Sequence, residues 1–154
     1  MKNSFKKLEV LINYNFKNHQ LLNTSLTHKS FDNINNNEKL EFLGDRVLGL
    51  IISKRLIEIY PNEKEGIIDK KLANLVNKKT CSKIAASLNL KKFMFLGKSH
   101  KFLERSEEKI MGDCLEALIG AIFLDSKLNN VEKFILSNWD SYLKKSELTL
   151  IDAK

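Results

Sequence analysis

Residues 35–52, NNNEKLEFLGDRVLGLII, decide the fold class. Glu38, Glu41 and Asp45 follow one another at spacings of three and four. At about 100° per residue this places all three within an arc of about 60° on one helix face. The residues around them, Leu40, Phe42, Leu43, Val47 and Leu48, are apolar. The pattern predicts a helix from about residue 38 to residue 60, ended by Pro61-Asn62, that is largely buried and yet carries a stripe of carboxylates. Gly49 falls on the acid arc one turn past Asp45, where the missing side chain is expected to admit another backbone or a ligand.

Residues 110–125, IMGDCLEALIGAIFLD, repeat the arrangement: Asp113 and Glu116 are three apart and Gly120 lies one turn beyond Glu116. Leu115, Leu118, Ile119 and Ile122 surround them, so a second apolar helix is expected over about 110–124. Acids at such spacings are common on solvated faces, where they pair with a Lys one turn on. Here Gly49 and Gly120 occupy the places four residues after Asp45 and Glu116. Carboxylates brought together raise one another's pKa and cannot all stay ionised at neutral pH without a cation, so they take protons or hold metal. Ligation by oxygen alone, without His or Cys, selects a hard ion, Mg²⁺ with Mn²⁺ able to substitute, over Zn²⁺ or copper. A pair of such ions suits in-line phosphodiester hydrolysis on a polyanion.

The rest of the chain agrees with an all-α fold. Its 154 residues suit one domain, Gly and Pro number only 6 and 1, and no period-2 run demands a sheet. Two short helices are expected around Phe5, Leu8, Leu11 and Ile12 and around Leu21, Leu22 and Leu26, followed by an Asn-rich loop that caps the first acidic helix. A helix is expected over 65–79, another capped by Thr80, and one short helix with a loop within 91–109. A last helix carries Val131, Phe134, Ile135, Trp139, Tyr142 and Leu143, with Asn130 as its cap. Lys and Arg total 26 against 19 acids, a net charge of +7, which fits an anionic partner and equally a Lys-rich solvated surface. Cys81 and Cys114 have no zinc spacing and suit a reducing cytoplasm, and no run approaches the ~18 apolar residues needed to span a bilayer. His28 and Cys114 are read as structural residues, and Phe134, Trp139 and Tyr142 as core packing rather than a base-stacking platform.

Residues 37–48, NEKLEFLGDRVL, resemble the signature motif of the ribonuclease III family, and residues 112–125, GDCLEALIGAIFLD, resemble its second acidic motif. LTHKSF at 26–31 and YPNEKEG at 60–66 resemble further family segments in the same order. The resemblance implies the helical catalytic-domain fold of that family, homodimeric, over residues 1–146. Residues 147–154 would be a polar tail or the start of a linker, with no double-stranded RNA-binding domain present, in either a truncated or a naturally short form. It implies Mg²⁺-dependent endonucleolytic cleavage of double-stranded RNA, leaving 5′-phosphate and 3′-hydroxyl ends, and a role in processing rRNA and other RNAs. By the same resemblance Glu41, Asp45, Asp113 and Glu116 are the metal-binding carboxylates, with Asp45 and Glu116 the catalytic pair. Glu38 and Glu65 are an auxiliary acidic pair, and Phe42 is a contact to the partner subunit. One departure is KSHKFLERSEEK at 98–109, where the family has a Gly-rich, Arg-containing loop.

Overall fold

Two helices of 22 residues each, α3 (Glu38–Ile59) and α6 (Glu104–Asp125), carry the acids and cross at glycine. A Cβ built on Gly44 would overlap the Glu116 carbonyl oxygen, and one on Gly120 would overlap the Leu40 carbonyl oxygen. The two backbones therefore touch, at a separation only two glycines permit. Gly49 meets nothing within 4 Å, so the close approach expected there is made one turn earlier, by Gly44. Gly44 and Gly49 are about 140° apart around α3, and α6 packs on the Gly44 side.

The computed structural model describes residues 2–98 and 104–152. Around the crossing pair lie α1 (Lys2–Ile12), α2 (His19–Ser25), α4 (Glu65–Val76), α5 (Lys78–Ser87) and α7 (Leu128–Asp152), with a 3₁₀ turn at Leu90–Phe93. Among the described residues there is no strand, only an isolated parallel bridge between Thr27 and Phe95. The central element is α6, buried on every side between Cys114 and Ile122, with α3, α5 and α2 packed against it. That is why its sequence is apolar all round rather than on one stripe. Of the segment 98–109, residues 99–103 lie outside the described residues, and the expected short helix is the 3₁₀ turn.

Local chemistry sets the boundaries. Asp32 Oδ1 accepts from the amides of Ile34 and Asn35, and Asn36 Oδ1 accepts from the Glu38 amide, so Asn36 satisfies the start of α3. The helix expected over 65–79 is two helices, because Asn77 is extended (φ −71°, ψ 165°) and its Oδ1 accepts from the Thr80 amide at 2.9 Å. Asn77, not Thr80, is thus the cap, and Lys78 becomes the first residue of α5. The last helix starts at Leu128, two residues before the expected Asn130 cap, and runs beyond residue 146 to Asp152. Trp139 is fully buried on it and donates Nε1–H to the Leu75 carbonyl at 2.7 Å, which ties α7 to α4 and confirms the aromatic set as core. Lys71 is also buried there, donating to the Ser146 carbonyl with its ammonium 4.6 Å from the Tyr60 ring centroid.

The glycines give a paired test. Gly44→Ala or Gly120→Ala forces a methyl into a backbone carbonyl and is expected to cost about 3 kcal/mol or more, at the upper end of overpacking effects. Gly49→Ala meets open space and is expected to stabilise α3 by about 0.5–1 kcal/mol. Urea denaturation of the three variants measures both signs.

Candidate metal centre

The crossing stacks the two acid stripes on each other. Glu41 on α3 and Asp113 and Glu116 on α6 each offer an oxygen within 4.8 Å of the other two. Their exposure is graded: the Glu116 side chain is 1 % exposed, Asp113 20 %, Glu41 29 % and Asp45 49 %. Glu116 is therefore the floor of the cluster and Asp45 its rim. Asp45 lies outside the compact trio, but its carboxylate is within hydrogen-bonding reach of Glu116 and 3.5 Å from the Arg46 guanidinium. Glu38 and Glu65 sit exposed at the first residues of α3 and α4 and are not part of the trio. Phe42 is 58 % exposed, its ring lying under the Arg46 guanidinium at 3.8 Å.

No lysine follows the acids by one turn on their own helices, as expected, but two lysines reach the cluster from elsewhere. Lys78, at the start of α5, places Nζ 3.1 Å from Glu41 Oε1, 2.6 Å from Asp113 Oδ1 and in contact with Glu116 Oε1. Lys109, one turn before Asp113 rather than after it, reaches Asp113 Oδ2 at 2.7 Å. Spacing along α3 and α6 contains no sign of Lys78, because it comes from a third helix whose start depends on the Asn77 break. Burial alone would lower the Lys78 pKa, but its bonds to Asp113 and Glu116 outweigh that and hold the ammonium firmly protonated.

These cations do not relieve the most buried acid. Burial, and after it the facing Asp45 carboxylate, push the Glu116 carboxyl up to about 8 against the opposing pull of Lys78. Glu116 Oε2 is buried with no donor bonded to it. A buried acceptor without a donor, flanked by carboxylates, fits a hard cation, which takes oxygen ligands and needs none of them protonated. Other reactive side chains are bland: the Cys81 and Cys114 thiols are both pushed by burial up to about 12, and the Cys114 thiol is directed at the Ser25 carbonyl. His28 Nδ1 accepts from the Ser30 amide at 3.1 Å and lies 2.7 Å from the Ser30 hydroxyl, as a loop-building residue does.

The raised Glu116 carboxyl fixes a pH dependence. Unfolded, the group ionises near the ordinary glutamate value of 4.5; folded, it holds its proton up to about 8. Its contribution to stability is thus fully present below about pH 4.5 and lost as pH rises to about 8, while Lys78 stays protonated in both states over this window. In EDTA, Tm is expected to fall as pH rises from 5 to 8 at roughly 2–4 °C per kcal/mol lost. Glu116→Gln should remove that component of the slope, and the Tm gain from added Mg²⁺ should grow with pH because the ion no longer competes with a proton.

A family model described as Ribonuclease-III-like matches residues 18–142. The chain is 56 % identical to ribonuclease 3 of Pelagibacter ubique across its whole length, spanning 69 % of that protein. It is 37 % identical to ribonuclease 3 of Borreliella burgdorferi over 93 % of the chain and 61 % of that protein. Among solved structures it is similar to the nuclease domain of ribonuclease III from Campylobacter jejuni, at 38 % identity and a TM-score of 0.83, over 89 % of this chain and 96 % of that one. That structure is described by flexibility in the region where its nuclease domain forms a dimer.

Proposed function

The chain belongs to the ribonuclease III family, and on that premise we propose that it is a divalent-cation-dependent endonuclease that hydrolyses double-stranded RNA as a homodimer in the cytoplasm. The observation that carries the reading is the trio Glu41, Asp113 and Glu116, with the donorless Glu116 Oε2 at its floor. These three would hold Mg²⁺, or Mn²⁺ in its place, with Asp45 beside them. When bound, such an ion lowers the pKa of a water and stabilises charge on the phosphoryl oxygens. Hydrolysis adds the water oxygen to phosphorus and releases the ribose 3′-oxygen with a proton, leaving 5′-phosphate and 3′-hydroxyl ends. rRNA and other structured RNAs are the substrates that the family resemblance favours.

The protein's own part is placement. Glu116 is immobilised by burial, and its own carbonyl lies against Gly44, so its carboxylate cannot drift relative to α3. Asp45, half exposed, is free to face both the site and solvent. Glu38 and Glu65, exposed at helix starts, extend the acidic valley outward. Duplex RNA offers phosphates and 2′-hydroxyls across a wide minor groove but little readable sequence, so recognition is by shape and by lysine contacts to phosphate. On α3 the exposed apolar residues Phe42, Leu50 and Ile57 fall within about 80° of one another, a strip suited to the same strip on a second copy. No helix among the described residues is long and apolar enough to cross a membrane.

The test is incubation with duplex RNA, single-stranded RNA and duplex DNA in Mg²⁺ and then in EDTA, with short duplex products expected only from duplex RNA with Mg²⁺. Glu116→Gln and Asp45→Asn should each lower turnover by more than about 100-fold, beyond the 10–100-fold typical of groups that only support a ligand. Near-normal turnover in Glu116→Gln would remove the site assignment. Phe42→Ala should weaken self-association about 30-fold, as truncation of a central aromatic does, read by sedimentation equilibrium. For this 154-residue chain, KM for duplex RNA should rise steeply between low salt and about 150 mM while kcat holds, since each phosphate contact adds to the salt slope.

A further inference from the structure

We propose that Lys78 is a built-in counter-cation of the carboxylate cluster, so that divalent-ion binding is an exchange in which the Lys78 ammonium leaves and the metal takes its place. The inference rests on reading the cluster as a divalent-cation site and says how that site is regulated.

Three observations carry it. Nζ of Lys78 touches one oxygen from each of the three acids that would ligate the ion, Glu41, Asp113 and Glu116, so ammonium and metal need the same oxygens. Two cations so close together repel, and only one can be held there. The lysine is also seated by the fold rather than stranded at random. A Cβ on Gly112 would lie 3.2 Å from Lys78 Cδ and 3.1 Å from its carbonyl oxygen, so the lysine stem runs over a gap that α6 leaves by having glycine there. Finally, the side chain has a way out, being 37 % exposed, so the ammonium can withdraw into solvent without opening the core.

The exchange has two consequences of opposite sign. Without metal, Lys78 offsets the repulsion among the carboxylates and holds the α3–α6–α5 junction together. With metal, it is a competitor already in position, and it raises the ion concentration needed to fill the site. A lysine that merely supported the fold would give losses in both conditions when removed. A competitor gives a loss in one and a gain in the other.

The experiment is a thermal-shift titration of the whole chain with Mg²⁺ and, separately, Mn²⁺, without RNA, on the unmutated protein and on Lys78→Met, Lys78→Gln and Lys78→Arg. In EDTA, the Met and Gln variants should melt lower than the unmutated protein. Their half-saturating Mg²⁺ should be at least about fivefold lower, equivalent to about 1 kcal/mol at 1.4 kcal/mol per tenfold. Lys78→Arg keeps the charge and should stay within about twofold of the unmutated protein. Should Met prove too apolar to fold without metal, Gln keeps a polar group at the same place and answers the question alone. Equal or weaker Mg²⁺ binding in the neutral variants would overturn the exchange while leaving the metal site standing. Absence of any Mg²⁺ or Mn²⁺ stabilisation in all four proteins would remove both together.

Discussion

Everything in this molecule hangs on the backbone contact between Gly44 and Gly120. Helices with side chains at their crossing point stay 8–10 Å apart, whereas here carbonyl oxygens lie where a Cβ would be. That closeness is what turns two separate acidic stripes into one cluster. Glu41 and Asp45 flank Gly44 on one helix, and Glu116 precedes Gly120 by one turn on the other, so the same two glycines that set the packing also set the distances among the carboxylates. Core and site are one construction, and a change that loosens the crossing loosens both.

The contact also explains why the cluster is electrostatically uneasy. Glu116 is carried into the centre of the molecule by a helix that is buried all round, and its carboxyl goes with it. An isolated ionised carboxylate at such depth is costly, and the structure answers with a raised proton affinity, one shared ammonium and an open rim at Asp45. Lys109 on Asp113 and Arg46 beside Asp45 add to these. A divalent ion held there would replace the proton on Glu116, and its binding would then be linked to folding stability.

Much of this was legible in the sequence, and what was not has a common cause. The acids, their shared helix face, the apolar surroundings and the all-helical class all follow from periodicities within single helices, and the motifs in residues 37–48 and 112–125 point to the family. Three features escaped: Gly44 rather than Gly49 at the crossing, Asn77 as the break between α4 and α5, and Lys78 inside the cluster. The first depends on which side of α3 the partner helix packs against, which no one-dimensional pattern encodes. The second turns on Asn77 outcompeting a good helical continuation by accepting from Thr80. The third follows from the second, since Lys78 reaches the acids only because α5 starts afresh at that residue. Asn77 followed by two lysines was the available signal, and its meaning needed the third helix in place.

The charge map imposes an order on events in the reading proposed above. A chain of net charge +7 draws a polyanion to its surface, yet the four carboxylates of the cluster repel any phosphate that comes near them. Lys78, engaged by three of the acids at once, softens that repulsion together with Lys109 at Asp113 and Arg46 at Asp45. In that reading the metal-free protein would hold a duplex through its lysines with the phosphate kept off the acids, and a cation in the cluster would let the same duplex settle inward. Cation occupancy would then bear on how the RNA is seated as well as on the chemical step, with Asp45, half exposed at the rim, between the two.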